Sequence, residues 1–308
     1  MNYLPDASLF LFLAASLMVA GWCLWAPSRS SFEAAFVPGA AILGLWGALV
    51  WAVGNFKLVP SFWIAAPWPL LVALIVWKRN NLAVHFGRTL GGLKKLKWDE
   101  GLWAFYLLLL FAITFVLTLA PPNGNDYDSL TYHLAVPAQY LRAGKVVELP
   151  FDHHSYFPFT LEMLYALGLA AKGPVFAKLF HWLMLPIGAF ALLAIGKRAH
   201  SARAGFYASA LYQASFYAGV TAGVYIMPDS AQMIFWTAAL WTLALILRDE
   251  RNWNYWLLFA LAAGAGIMSK VHGAFLCSGL ALFVLFHRRH WLRFPQLYAA
   301  AASAKSSQ

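Results

Sequence analysis

What most constrains this chain is a succession of apolar runs, almost free of charge, with the basic residues confined to the breaks between them. Crossing a bilayer core takes roughly 20 apolar residues, or somewhat fewer where the bilayer thins. On that measure, spans are expected at about 8–25, 34–54, 61–77, 102–120, 175–195, 204–223, 230–247, 256–268 and 271–286, nine in all. Pro67 and Pro69 interrupt the third, and the last two are short and joined by almost nothing, which suggests a tight re-entry near one interface. Only 11% of the 308 residues are charged, against roughly 25% in a soluble domain. A water-soluble fold is therefore excluded, and the expected fold class is all-α, a polytopic transmembrane helical bundle.

Orientation follows from lysine and arginine, which favour cytoplasmic loops. The break at 78–100 carries Lys78, Arg79, Arg88, Lys94, Lys95 and Lys97. Alternation then places Lys197, Arg198, Arg203, Arg248, Arg251, Arg288, Arg289 and Arg293 on the same side, with Arg29 and Lys305, sixteen of the 22 basic residues. The N-terminus is expected outside and the C-terminus inside. A net charge of +10 suggests nucleic acid when found on a soluble protein, but here it belongs to these loops, so the bilayer is the expected partner and nucleic acid is not. MNYLPDASLF has no basic start and no clear cleavage site, and reads as a retained first span. Cys23 and Cys277 both fall in apolar runs, so no structural disulfide is expected. The chain divides into a three-span region at 1–77, a basic cytoplasmic linker at 78–100, a membrane module at 101–290 with its large loop at 121–174, and a tail at 291–308.

That loop is the long non-spanning segment rich in carboxylates, histidines and tyrosines. It holds Asp126, Asp128, Glu148, Asp152 and Glu162, five of the twelve acidic residues, and alternation puts it on the exoplasmic face. Two interfacial helices are expected in it. The first, 128–142, places Asp128 with Tyr132 and Ser129 with His133, four apart on shared faces, and stops at Gly144. The second, 158–171, is expected along the membrane surface with Glu162 solvated. Asp152, His153, His154, Ser155 and Tyr156 form a polar turn between them. Each residue also has a structural reading. Asp128 and Asp229 suit helix N-caps, Asp126 a turn, and Arg142 a helix end. Tyr132, His133 and Lys270 suit interfacial anchors. Asp152 with His153 and His154 invites a metal, although adjacent histidines point apart unless the loop folds.

The run Asp128-Ser-Leu-Thr-Tyr132-His133, then Pro137, Tyr140, Leu141 and Gly144, then His154-Ser-Tyr-Phe-Pro158 and Glu162-Met-Leu-Tyr165, resembles the bacterial integral-membrane glycosyltransferases of the GT-C superfamily, the protein mannosyltransferase and aminoarabinose transferase relatives among them. Pro228-Asp229 and Gly264-x-Gly266-x-x-Ser269-Lys270-x-x-Gly273 are similar to later parts of that pattern, so the resemblance covers about 101–286. It implies transfer of a sugar from a polyprenyl-phosphate donor to a glycan, lipid or protein acceptor, on the exoplasmic face of a bacterial inner membrane and with inversion. Asp128 matches the position of the family's catalytic Asp and is the expected base. Asp126, Tyr132, His133, Arg142, His153, His154, Asp229 and Lys270 are the expected substrate contacts. Lys270 is the sharpest phosphate candidate, because a charge interrupting an apolar run is costly without a role. No cofactor is expected; a divalent metal is left open. Three spans precede the module, where the family usually has one before its acidic loop, and the chain ends before later spans. The acceptor-binding half is therefore expected to be missing or supplied by a second membrane subunit. A non-catalytic subunit and a lipid-linked-sugar transporter are the alternative readings.

Overall fold

The computed structural model describes residues 4–25, 30–124, 126–157, 159–223 and 225–305. Arg29, Pro158 and the side chain of Lys305 lie outside the described residues. Every regular element among the described residues is helical, as the expected polytopic bundle requires. Helices α1 (Leu4–Leu24) and α2 (Ser31–Gly54) form an antiparallel pair. The short α3 (Pro60–Ala65) leads into α4 (Pro67–Leu93), and both place a proline at the first helical position, where the missing N–H costs nothing. Next come α5 (Trp98–Thr118), α6 (Ala135–Ala143), α7 (Thr160–Lys172), α8 (Pro174–Trp182) and α9 (Met184–Ala199). The bundle is completed by α10 (Ala202–Ala214), α11 (Phe216–Gly223), α12 (Asp229–Ile246), α13 (Trp253–Ile267), α14 (Gly273–His287) and α15 (Pro295–Lys305).

Among the described residues, five stretches are long and apolar enough to cross a membrane: Ala7–Leu24, Ser31–Gly54, Pro60–Leu93, Trp98–Thr118 and Pro174–Ala199. The predicted span at 204–223 is instead broken at Ser215, between α10 and α11. Helices α13 and α14 have 15 residues each; at about 1.5 Å per residue each is shorter than a bilayer core of roughly 30 Å. The basic segment after 78 is not a plain connection. Helix α4 continues through it to Leu93, bent at Lys78 (φ −111°, ψ 24°). Packing holds it there, since His85 is buried and stacks on Trp22, and Asn81 Nδ2 donates to the Cys23 carbonyl at 3.0 Å.

Polar ties between loops sort into two sets that match the expected alternation of sides. At one end, Arg203 pairs with Asp99 at 2.7 Å, and Glu250 pairs with His290 at 2.9 Å. At the other, Leu58 N–H donates to Gly144 O at 2.7 Å, Val146 N–H to Gly54 O at 2.8 Å, and Thr160 N–H to Met268 O at 3.0 Å. The loops predicted for one face thus bond to each other.

Helix α7 departs from expectation. Residues Thr160 through Gly168 are all buried, so its first turns run through the middle of the bundle rather than along a solvated surface. Two glycines permit this. Gly168 packs against Ala177 of α8, where an added Cβ would lie 2.6 Å from the Ala177 Cα, and Gly47 of α2 packs against the Thr160 carbonyl. Gly173, at φ +95°, makes the reversal into α8 in a backbone region that side chains disfavour. Gly47→Val should therefore wedge α2 from α7 and lower the thermal unfolding temperature in detergent by an amount equivalent to about 1–3 kcal/mol or more. Gly39→Ala, in the same helix with open space around it, should leave that temperature unchanged or raise it.

Candidate functional site

The site begins where α5 ends. The Asp126 N–H donates to Asn123 O at 2.9 Å, and the Asp126 carboxylate, 3% exposed, accepts the Ser129 hydroxyl through Oδ1. The same hydroxyl accepts the Ile226 N–H at 2.9 Å, which fastens this loop to the one before α12. Residues Ser129–His133 then form one turn of π-helix, with the Leu134 N–H bonded to Ser129 O at 3.0 Å. Pro137 accounts for the irregularity. Inside a continuous helix its ring would clash with the His133 carbonyl four residues back; restarting the helix at Ala135 puts Pro137 in a first turn, where no partner is lost. Two segments thus replace the single helix expected over 128–142, and the π-turn carries His133 into the interior while leaving Asp128 and Tyr132 half-buried.

Inside, His133 Nδ1 and Glu162 Oε1 lie 2.7 Å apart, both side chains almost fully enclosed. Glu162 is therefore not solvated as the sequence suggested; its second oxygen, Oε2, is buried without a hydrogen-bond partner. The Tyr132 ring abuts His133 at 4.0 Å and stacks flat on His154, 4.0 Å between centroids and 4° between planes. His154 Nδ1 is 2.7 Å from Asp152 Oδ1, and the His153 ring lies 3.9 Å from that of His154. The polar turn does fold back on itself: Asp152, His153 and His154 bring one ligand atom each within 4.8 Å of one another, which the expectation of divergent neighbours did not anticipate.

Electrostatics confirm that these groups converge. Burial pushes the Tyr132 phenol up to about 12, and Asp128, Glu162 and Asp229 add to the shift, so three carboxylates bear on one hydroxyl. Tyr140 is also pushed to about 12 by burial, then by Glu162 and Asp152. At neutral pH both phenols are hydrogen-bond donors. Burial raises the Asp126 carboxyl above the ordinary range, against the Ser129 hydrogen bond and the charge of Lys178.

Asp128 caps no backbone N–H and has no hydrogen-bond partner among the described residues, so its carboxylate is available. Asp229 does not cap α12 either; it pairs with Lys270 at 2.7 Å, both side chains about one-third exposed. Lys270 is thus neutralised by an acid that also faces Tyr132. Arg142 sits exposed in the last turn of α6, where a cation suits the helix dipole, and no hydrogen bond or ion pair among the described residues ties it to the cluster. Two side chains given no site role by the sequence belong to this region. Lys178, 3% exposed, donates to Ala120 O at 2.8 Å and bears electrostatically on Asp126; Tyr165 bonds His181 at 2.8 Å. Like Lys270, Glu162 and Lys178 are charges inside apolar runs.

Two hollows open among the helices. One of about 120 Å³ lies between α2, α7 and α13, lined by Gly44, Ala48, Thr160, Gly264 and Met268. The other, about 290 Å³, is an apolar groove among α1, α2 and α4, with Trp46, Trp63 and Trp68 in its wall. Leu45 and Leu49 line both, while Asp128 and Lys270 line neither.

Removing His133 leaves a carboxylate buried without its partner, which costs about 3–5 kcal/mol. Removing Glu162 leaves only a neutral imidazole short of one hydrogen bond, about 1–3 kcal/mol. Unfolding measurements should therefore show His133→Ala more destabilised than Glu162→Ala, with the double variant less destabilised than the two effects added. Asp126 gives a pH test. Its folded carboxyl takes up a proton at a higher pH than the unfolded one, so its contribution to stability falls as pH rises through the window between the ordinary and the raised value. Asp126→Asn lacks that term, and its unfolding temperature relative to the wild type should rise as pH increases through this mildly acidic window.

Among known proteins, residues 156–304 match the family model of the dolichyl-phosphate-mannose-protein mannosyltransferases. The matched stretch, just under half of the chain, takes in Glu162, Lys178, Asp229 and Lys270 and begins after Asp128, Tyr132 and His154. No curated protein and no solved structure matches the chain. The chain is similar to a GT-C family over that stretch, and the match supports an integral-membrane glycosyltransferase working with a lipid-linked donor.

Proposed function

We propose that the protein transfers a sugar from a polyprenyl-phosphate donor to an acceptor hydroxyl at the exoplasmic face of a bacterial inner membrane, with Asp128 as general base. One observation carries this reading: a carboxylate free of hydrogen bonds, Asp128, bears on the Tyr132 phenol together with Glu162 and Asp229, and Asp229 holds the Lys270 ammonium. The match over 156–304 supports the class of reaction; sugar, carrier and acceptor are left open.

In the proposed step the acceptor oxygen attacks the anomeric carbon while the bond from that carbon to the phosphate oxygen breaks. The acceptor proton goes to the Asp128 carboxylate, and the electron pair leaves on the phosphate. A phosphate departs without a protonated acid, so one carboxylate suffices, unlike the two needed for glycoside hydrolysis. A single displacement inverts the anomeric centre. Lys270 is the candidate for the departing charge. Its pair with Asp229, one-third exposed, contributes only about 0–1 kcal/mol, so a phosphate can take the place of the carboxylate at small cost. Tyr132, half-buried, supplies a neutral donor for a sugar hydroxyl, and His133, held by Glu162, forms the wall behind it.

Purified protein in nanodiscs, supplied with a polyprenyl-phosphate sugar and candidate acceptors, should transfer the sugar. Asp128→Asn should lower kcat by about 10²- to 10⁴-fold, the usual contribution of a general base, with folding intact. Wild-type turnover by Asp128→Asn would remove Asp128 from the mechanism. Lys270→Met should weaken donor use more than Arg142→Met does.

A further inference from the structure

We propose that Asp152, His153 and His154 form a binding site for a divalent metal ion of the zinc class. The proposal does not rest on the transferase reading, since the single-carboxylate transfer above needs no metal. Its basis is that two imidazoles and a carboxylate, from three consecutive residues, present one donor atom each within 4.8 Å of one another. Consecutive side chains of an extended strand would point to opposite faces; here the chain makes a tight 3₁₀ turn at His153–Tyr156.

Contacts from outside the turn hold the donors together. Tyr132, from the π-turn, lies flat against His154, and Phe157 meets both imidazoles edge-on, 5.9 Å from His153 and 5.3 Å from His154. Ser155 Oγ ties the turn to Leu149, contacting its N–H and its carbonyl at 3.3 Å. Both imidazole rings are thus placed before any ion arrives, which lowers the ordering cost of binding. The imidazoles lie 3.9 Å apart in a chain of net charge +10.

The donor set decides the ligand class. Imidazole nitrogens suit zinc and other late divalent metals, whereas magnesium and calcium prefer all-oxygen sites. Two histidines and one carboxylate also leave a coordination position open, as in zinc sites that keep a water or a substrate oxygen. With Tyr132 against His154, that position belongs to the same region as Asp128 and Glu162.

Tag-free protein in detergent, stripped with chelator and dialysed into metal-free buffer, is titrated with zinc, and bound zinc per chain is read by elemental analysis. One zinc per chain is expected. His153→Ala, His154→Ala and Asp152→Asn should each weaken binding by at least the roughly 10- to 100-fold that loss of an outer-shell partner costs, since each removes a ligand itself. His287→Ala, at the far end of α14, should leave it unchanged. Thermal unfolding of each metal-free variant checks that it is folded, and cobalt substitution reads the ligand set by its absorption spectrum. Absence of zinc on the wild-type protein, or unchanged affinity in a folded double variant lacking both histidines, would overturn the site.

Discussion

A carboxylate buried in a bundle this poor in charge is tolerated only when something meets it, and Glu162 is met by His133 at 2.7 Å. The rest of the site depends on that contact. It joins the π-turn of the large loop to α7, and α7 is the element buried against both α2 and α8. Because His133 is drawn inward, its neighbour Tyr132 is left on the wall with its ring against His154, and Asp128, one turn earlier, stays half-buried and unpaired. Stabilising the interior and presenting the loop's functional face are therefore the same event.

The polar groups divide by exposure. Enclosed ones, such as the His133–Glu162 pair, Lys178 on the Ala120 carbonyl and Tyr165 on His181, are costly to disturb and act as framework. Partly exposed ones, such as Lys270 with Asp229 and His154 with Asp152, are individually weak and can exchange one partner for a ligand. A site that takes up a charged lipid headgroup needs both kinds: fixed walls, and charges already neutralised in the resting state but free to change partners.

The architecture was legible in the sequence where hydrophobicity and charge decide it. The runs at 8–25, 34–54 and 102–120 became long helices, and the ties between loops fall into two sets consistent with alternating spans. What was not legible depends on partners far along the chain. Helix α7 reads as a surface helix with one acid, because nothing in its own residues announces a histidine 29 positions earlier. Lys178 looks like a border cation until the Ala120 carbonyl, 58 residues away, is seen to receive it. The extension of α4 to Leu93 likewise follows from packing, through Asn81 and His85, whereas the break at Ser215 had a local signal, since its hydroxyl accepts the Ala218 N–H as a helix N-cap. Pro137 did carry a local signal for the π-turn, since a proline within a helical run forces a change at the residues before it.

All of this matters for sugar transfer only if the loop bearing Asp128 and the polar turn faces out of the cell. Cysteine labelling in intact cells tests that most directly, using Tyr156→Cys, an exposed position in the polar turn, in a background with Cys277→Ser to remove the exposed native thiol. A membrane-impermeant maleimide should label this position without permeabilisation, whereas a cysteine at exposed Arg289 should react only after the membrane is opened. Labelling of Tyr156→Cys only after permeabilisation would put the loop on the cytoplasmic side and contradict the account.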